Sequence, residues 1–359
     1  MKVAIVGIGQ IAEAHISEIK QIPDINIVAL VDLRSSPLRA LCEKYDIAAS
    51  FNSCTDMLAT SKPDAVHITT PPGPHLALAK ECIESGAHVY IEKPLTITYE
   101  EAEQLLKIAE SHSKKVYLGA NRLFAPEQQT AMNLIQDGSI GRLAHIDSIF
   151  SYDLQGIFGR QVMANPKHWI AQLPGQVFQN NLNHPLATIV PFLSEDLEIK
   201  AWAADWNDNG VVYEELRVSI FDQTNHLTAN IIFTSNVKPS VFKTRYFGSK
   251  NTVSIDNYTH SYVLESAPTL PGILGNIFNL RKTANSLKKQ FWLELYRFLF
   301  GKRTYFSDMK DSFEHFYHCI RSNEELPIPH DQALLASKIM QNIFDQIGHP
   351  SDQKNAVKK

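Results

Sequence analysis

The sequence predicts an α/β protein in two parts. The first is a doubly wound parallel sheet over residues 1–120. The second is an α+β domain with an open, mainly antiparallel sheet over residues 121–350. Three observations carry this reading. A length of 359 residues suits two domains at about 150 residues each. Through the first 120 residues, continuous apolar runs alternate with helical patterns, as strands buried on both faces must. Beyond Gly119 strand follows strand with alternating polarity, which suits an antiparallel or mixed sheet.

Lys2 to Val6 is the opening strand, and Gln10 to Gln21 a helix whose apolar positions are Ile11, Ala14, Ile16 and Ile19. The run MKVAIVGIG is too short for a signal peptide and is interrupted by Gln10, Glu13 and His15, so it is read as buried strand. Ile25 to Val31 is the next strand, then a helix from Pro37 to Tyr45 with proline in its first turn. Ala65 to Thr69 and His88 to Ile91 are strands on either side of a helix, His75 to Ser85, closed by Gly86. Thr98, with Glu101 three residues on, forms a capping box that opens a helix to Ser113, and Lys115 to Leu118 is the following strand. In the second part a helix from Pro126 to Asp137 ends at Gly138. Strands follow at Leu143–Tyr152, Ile199–Ala204, Val211–Phe221, Leu227–Thr234, Val241–Gly248 and Asn251–Asp256. Asp208-Asn209-Gly210 supplies one of the turns, and residues 351–359 read as a frayed polar tail.

Composition narrows the function classes. The net charge is -4, which argues against nucleic acid as a partner. No run of 18 apolar residues exists to span a membrane. Cys42, Cys54, Cys82 and Cys319 form no C-x-x-C pair and suit a reduced, cytoplasmic chain. No His/Cys/Asp/Glu set has metal-ligand spacing, so no metal is expected.

Gly7-Ile8-Gly9-Gln10-Ile11-Ala12 follows the first strand and opens the first helix, the context that gives G-x-G-x-x-A meaning. Gly7 allows the tight turn, Gly9 leaves room for a pyrophosphate, and Ala12 lets helix and strand approach. The helix N-terminus offers N–H groups and a positive dipole end to phosphates. Asp32 ends the second strand, where an acid accepts hydrogen bonds from the adenosine ribose. These features define a Rossmann sheet binding NAD. Arg34, two residues on, offsets the repulsion of a 2′-phosphate, so NADP stays open as the cofactor.

Three further strings carry a resemblance: Ile68-Thr69-Thr70-Pro71-Pro72-Gly73-Pro74-His75, Gly86-Ala87-His88-Val89-Tyr90-Ile91-Glu92-Lys93-Pro94, and Gly119-Ala120-Asn121-Arg122-Leu123-Phe124-Ala125-Pro126. With the opening glycines, the first 145 residues resemble the glucose–fructose oxidoreductase / inositol 2-dehydrogenase / rhizopine catabolism (Gfo/Idh/MocA) family of NAD(P)-dependent oxidoreductases. The resemblance is looser beyond that point. It implies a cofactor-binding set of Gly7, Gly9, Gln10, Ile11, Asp32, Arg34, Thr70, Pro71, His75, Glu92, Lys93 and Asn121. It implies substrate contacts from Lys93, Arg122, Trp169, Asn180 and His184. Lys93, of the E-K-P string, and His184 would be catalytic: the lysine polarises the substrate oxygen while the histidine takes the hydroxyl proton. The family's Asp-x-Gly-x-His helix reads here as Asn180-Asn181-Leu182-Asn183-His184, with an amide where the family has its acid. On one helix Asn180 and His184 would share a face.

The expected activity is hydride transfer between the nicotinamide and a secondary alcohol of a sugar, cyclitol or nucleotide sugar, in cell-surface polysaccharide precursor metabolism. The alternatives are an NAD-dependent glycoside hydrolase of the same fold and a non-catalytic dinucleotide-sensing regulator. A homodimer or homotetramer is expected. Residues 271–306 stand apart: seven basic residues face one acid, Glu294, for a net of +6, so the remainder carries -10. Leu287, Phe291, Leu295 and Phe298 give this segment an apolar helical stripe. Two readings stay open: a helix resting on an anionic membrane, and the favoured one, a lid or oligomer contact that buries the aromatics.

Overall fold

A computed structural model of the chain describes residues 1–207, 211–301, 304 and 306–348. The Asp208-Asn209-Gly210 turn, Lys302, Arg303 and the tail at 351–359 lie outside the described residues. Contacts divide the chain into two units, Met1–Asn121 with Phe306–Lys338 and Arg122–Tyr305 with Ile339–Lys359. The 306–338 stretch thus packs with the first unit, whereas the sequence reading puts it in the second domain.

In the first unit β1 (Lys2–Val6), α1 (Ala12–Ile19), β2 (Asn26–Val31), α2 (Ser35–Tyr45), β3 (Ser50–Phe51) and α3 (Cys54–Ser61) follow one another. β4 (Ala65–Ile68), α4 (His75–Glu84), β5 (His88–Ile91), α5 (Tyr99–Ser111) and β6 (Val116–Leu118) complete the alternation. The six strands are all parallel in the order β3-β2-β1-β4-β5-β6. Sequence reading finds five of them. β3 is a two-residue edge strand and carries no periodicity to detect. The Thr98 capping box is present in both directions. All four cysteines are unbridged and buried.

In the second unit a 3-10 turn at Asn121–Phe124 leads into α6 (Pro126–Gln136), β7 (Leu143–Ser151), α7 (Ile157–Ala164), α8 (Gln176–Asn181) and α9 (Asn183–Ile189). Strands β8 (Leu197–Ala204), β9 (Glu215–Asp222), β10 (Leu227–Thr234), β11 (Phe242–Gly248), β12 (Asn251–Asp256) and β13 (Ser261–Ser266) precede α10 (Gly272–Leu299). The seven strands are ordered β13-β12-β11-β7-β10-β9-β8, with only β7 and β10 parallel. One face is apolar core, with Ile146, Ile220, Ile231 and Tyr246 fully covered. On the other, Asp147, Arg217, Asn230 and Arg245 line an open surface. β13 escapes sequence reading because its residues are nearly all half-buried and show no alternation. α11 (Ser307–Ser322) belongs to the first unit, while α12 (His330–Ile347) supplies residues to both.

Candidate functional site

Strand adjacency assembles the first half of the site. Val6 pairs with Ile68 and Ile68 with Ile91, so the loops after β1, β4 and β5 leave one sheet edge side by side. The strand order reverses between β1 and β4, the place where open α/β sheets bind ligands.

Gly7 has φ +94°, and a Cβ there would lie 2.9 Å from the Thr70 nitrogen. Gly7→Ala therefore combines left-handed strain with a backbone clash. It is expected to cost about 2–3 kcal/mol in a chemical denaturation curve. Above Gly9 the space is open, since a Cβ there would meet only Thr69 O, at 3.8 Å. No side chain caps the α1 N-terminus at Ile11. Thr70 Oγ1 is buried with no hydrogen-bond partner among the described residues. An open cradle, an uncapped helix start and an orphaned hydroxyl fit a dinucleotide pyrophosphate.

Asp32 accepts the Ile8 N–H at 2.9 Å and is forked by Arg34, with Nε to Oδ1 at 2.9 Å and Nη2 to Oδ2 at 3.1 Å. Partial burial pushes its carboxyl up, but the Arg34 fork and the Ile8 and Arg34 N–H groups bring it down to about 2. Arg34 thus covers the acid that would meet the ribose, a contact absent from the sequence reading.

His75 and Glu92 are both buried among groups of this chain. His75 is fully buried; its Nδ1 faces the carbonyls of Pro94 and Leu95, both at 3.1 Å, and its Nε2 faces that of Thr70 at 2.9 Å. It braces the β4 loop against the E-K-P turn. Burial lowers the imidazole and favours its neutral form, whose single N–H donates on one side only, and the ring has no surface to present. Pro71 is exposed at the loop tip, and the Lys93–Pro94 peptide is cis.

Glu92 Oε1 lies 3.0 Å from Nε2 of His15, and His15 Nδ1 lies 3.0 Å from Nδ1 of His67. His67 Nε2 in turn is 2.7 Å from the Tyr317 hydroxyl on α11. His15, His67 and Tyr317 are buried, and His67 stacks on Tyr90 at 4.7 Å. Burial pushes the Tyr317 phenol up and, together with the neighbouring His15, pulls His67 down. Both are therefore neutral. The Tyr317 hydroxyl donates to His67 Nε2, the only hydrogen-bond partner it has among the described residues. That puts the His67 proton on Nδ1, facing His15 Nδ1 as acceptor. The His15 proton then sits on Nε2 and donates to Glu92. One tautomer runs the length of the chain. Burial pushes the Glu92 carboxyl up, but the His15 bond and the Lys93 charge reverse this and hold it below the usual carboxylate range. Burial lowers the Lys93 ammonium while the Glu92 charge opposes it.

Sequence reading misses this cluster. Its only trace is a histidine inside the apolar run Ala65-Val66-His67-Ile68 and another on the apolar face of α1. Tyr90 also donates to Asn121 Oδ1 at 2.7 Å, which orients that amide at the end of the unit.

The second unit carries Arg122, Trp169, Asn180 and His184. Arg122 and Trp169 are half-buried, and Trp169 stacks on His168 at 5.8 Å. Asn180 and His184 do not lie on one helix: α8 stops at Asn181 and α9 starts at Asn183, with Leu182 between. Pro185 has no N–H to give the Asn181 carbonyl, which ends the first helix. The segment is nonetheless firmly held. A Cβ at Gly175 would lie 2.2 Å from the Phe344 ring, and buried Gln176 accepts the Tyr213 N–H at 3.1 Å. His184 is half-buried and stacks on Phe150 at 5.6 Å, while Asn180 is buried. Among the described residues no cluster of three His, Cys, Asp or Glu is arranged to hold a metal.

The strand order and the glycine loop define a dinucleotide-binding domain of the doubly wound class. Residues 1–120 match the model of the Gfo/Idh/MocA family, described as "Oxidoreductase family, NAD-binding Rossmann fold". "Uncharacterized oxidoreductase YrbE" of Bacillus subtilis is 28% identical over 149 residues, which are 42% of this chain and 43% of that protein. The "D-glucoside 3-dehydrogenase" of Escherichia coli is 32% identical over 144 residues, 40% of this chain and 41% of its own length. The chain thus aligns with less than half the length of these relatives. The crystal structure of the WlbA dehydrogenase from Bordetella pertussis in complex with NADH and UDP-GlcNAcA has the same fold over 99% of this chain and 96% of that one. Its TM-score is 0.77 and its identity 18%.

Proposed function

We propose that the protein is an NAD(P)-dependent oxidoreductase that moves a hydride between the nicotinamide and a secondary alcohol of a sugar, cyclitol or nucleotide sugar. The observation that carries this reading is the Glu92–Lys93 pair. A lysine beside a carboxylate held ionised by His15 follows β5, next to the β4 loop at the switch point. A bound nicotinamide dinucleotide supplies the hydride acceptor or donor. Gly7, Gly9, the α1 N-terminus, Thr70 and Asp32 are the groups of this chain that would hold it. Lys93 polarises the substrate C–O and stabilises negative charge as it develops on oxygen. His184 accepts the hydroxyl proton on a ring nitrogen. Asn180 can orient a substrate hydroxyl by donating or accepting, but it cannot take a proton from the imidazole. The E. coli glucoside dehydrogenase and the nucleotide-sugar complex of WlbA support a sugar-like substrate.

Asp32 favours the ribose hydroxyls of NAD, while the Arg34 fork is the group that a 2′-phosphate would meet. Arg34→Ala is expected to weaken NADP roughly tenfold more than NAD, the worth of one charge-assisted hydrogen bond. Fluorescence titration of both dinucleotides measures this.

The test is native mass spectrometry for co-purified dinucleotide, followed by a panel of cyclitols, glycosides and nucleotide sugars read at the nicotinamide absorbance. Reduction of NAD is expected. Sugar release without net reduction would replace the reading by a hydrolase, and tight dinucleotide binding without turnover by a regulator.

A further inference from the structure

We propose that α10 docks the protein on an anionic lipid surface. The helix is inside out. Its polar stripe, Asn279, Thr283, Ser286 and Gln290 at helical spacing, is half-buried. Asn279 donates to the Ser266 carbonyl at 2.8 Å. Gln290 accepts the Tyr262 N–H at 2.8 Å and donates to the Tyr262 carbonyl at 2.9 Å. Two amide side chains thus fasten the helix to the backbone of β13. Gly275 is its single buried residue, where a Cβ would lie 2.0 Å from the Leu270 carbonyl oxygen.

With the polar stripe turned inward, the apolar side faces solvent along the whole helix. Ile273 is 77% exposed, Leu280 71%, Phe291 58%, Trp292 58% and Phe298 68%. A contiguous apolar surface of this kind marks an interaction site. Twenty-eight residues make it about 42 Å long.

Charge decides the occupant. Arg281, Lys282, Lys288 and Lys289 are exposed and have no ion-pair partner among the described residues. The only acid of the helix, Glu294, bonds Arg297. A second copy of the same face would set these cations against each other. The apolar side, from Leu280 round to Phe278 and Tyr296, is also wider than the two-position seam of a coiled coil. Anionic headgroups complement the cations, and lysine and arginine stems reach past the apolar rings to meet them. No helix among the described residues is long and apolar enough to cross a membrane, so α10 lies on the surface.

Co-sedimentation of the full chain with phosphatidylcholine vesicles, with and without phosphatidylglycerol, tests this. Binding to the anionic vesicles alone, lost on raising the salt, is expected. Lys288→Gln with Lys289→Gln is expected to weaken it roughly fivefold per charge removed. Phe291→Ser with Trp292→Ser is expected to abolish it, while NAD binding by either double variant confirms folding. Equal sedimentation with both vesicle types, or none with either, overturns the proposal. So does a concentration-dependent dimer that the Phe291 and Trp292 changes dissolve. The wild-type salt series needs no variant to fold.

Discussion

Lys93→Ala is expected to lower kcat by about 10²- to 10³-fold, the usual cost of removing one preorganised group that stabilises charge on a reacting oxygen. NAD affinity should change by no more than about twofold, because the phosphates are met by the β1 loop and the α1 N-terminus. The physical reason lies in the surroundings of Lys93. Burial lowers its ammonium and the adjacent Glu92 opposes that. Alanine removes the cation but leaves the turn, which His75 holds through the carbonyls of Pro94 and Leu95. Steady-state kinetics with NAD titration in parallel separates the two readouts. Full turnover by Lys93→Ala would sink the proposed chemistry.

His15→Leu should be the most damaging change to stability. It takes the donor from a buried carboxylate and the acceptor from His67 in one step. Leaving Glu92 buried without its partner is expected to cost about 3 kcal/mol, read by chemical denaturation. A purely structural histidine would do no more. Here the pH profile should move as well. Glu92 is held low by the His15 bond, so its pKa rises when that bond is lost. Wherever Glu92 is protonated, Lys93 loses the negative charge that raises it, and its own pKa falls. Activity that needs the protonated lysine disappears above that pKa, so the alkaline limb of kcat shifts to lower pH. His15→Gln, whose amide can still donate to Glu92, should restore much of the limb. An unmoved limb in His15→Leu would show that the chain of histidines does not reach Lys93.

Much of the first unit was legible along the chain. Val3, Ala4 and Ile5 are apolar on both sides and emerge fully buried in a parallel strand. Gly7 needs a positive φ whatever surrounds it, and Thr98 with Glu101 caps a helix using only its own neighbours. Such features are local, and local sequence is enough to specify them. The Tyr317–His67 contact spans 250 residues of sequence, and no periodicity announces it. Asn180 and His184 show a smaller limit. Their spacing suggested one helix face, yet Pro185, one residue further on, divides the helix.

Residue order was sufficient for five strands of the parallel sheet, the glycine loop and the position of Lys93 at its edge, because each follows from nearest-neighbour backbone preference and apolar periodicity. Packing settled the rest. The return of α11 to the first unit brings Tyr317 to His67, and through His15 this sets the proton positions around Glu92. Composition marked the segment at 271–306 as basic and aromatic but could not say which side of the helix meets the protein. The hydrogen bonds of Asn279 and Gln290 to β13 turn the polar stripe inward and leave the apolar one in solvent. Long-range hydrogen bonds form between groups that are strangers in the sequence, so the electrostatics of this protein belong to its tertiary structure.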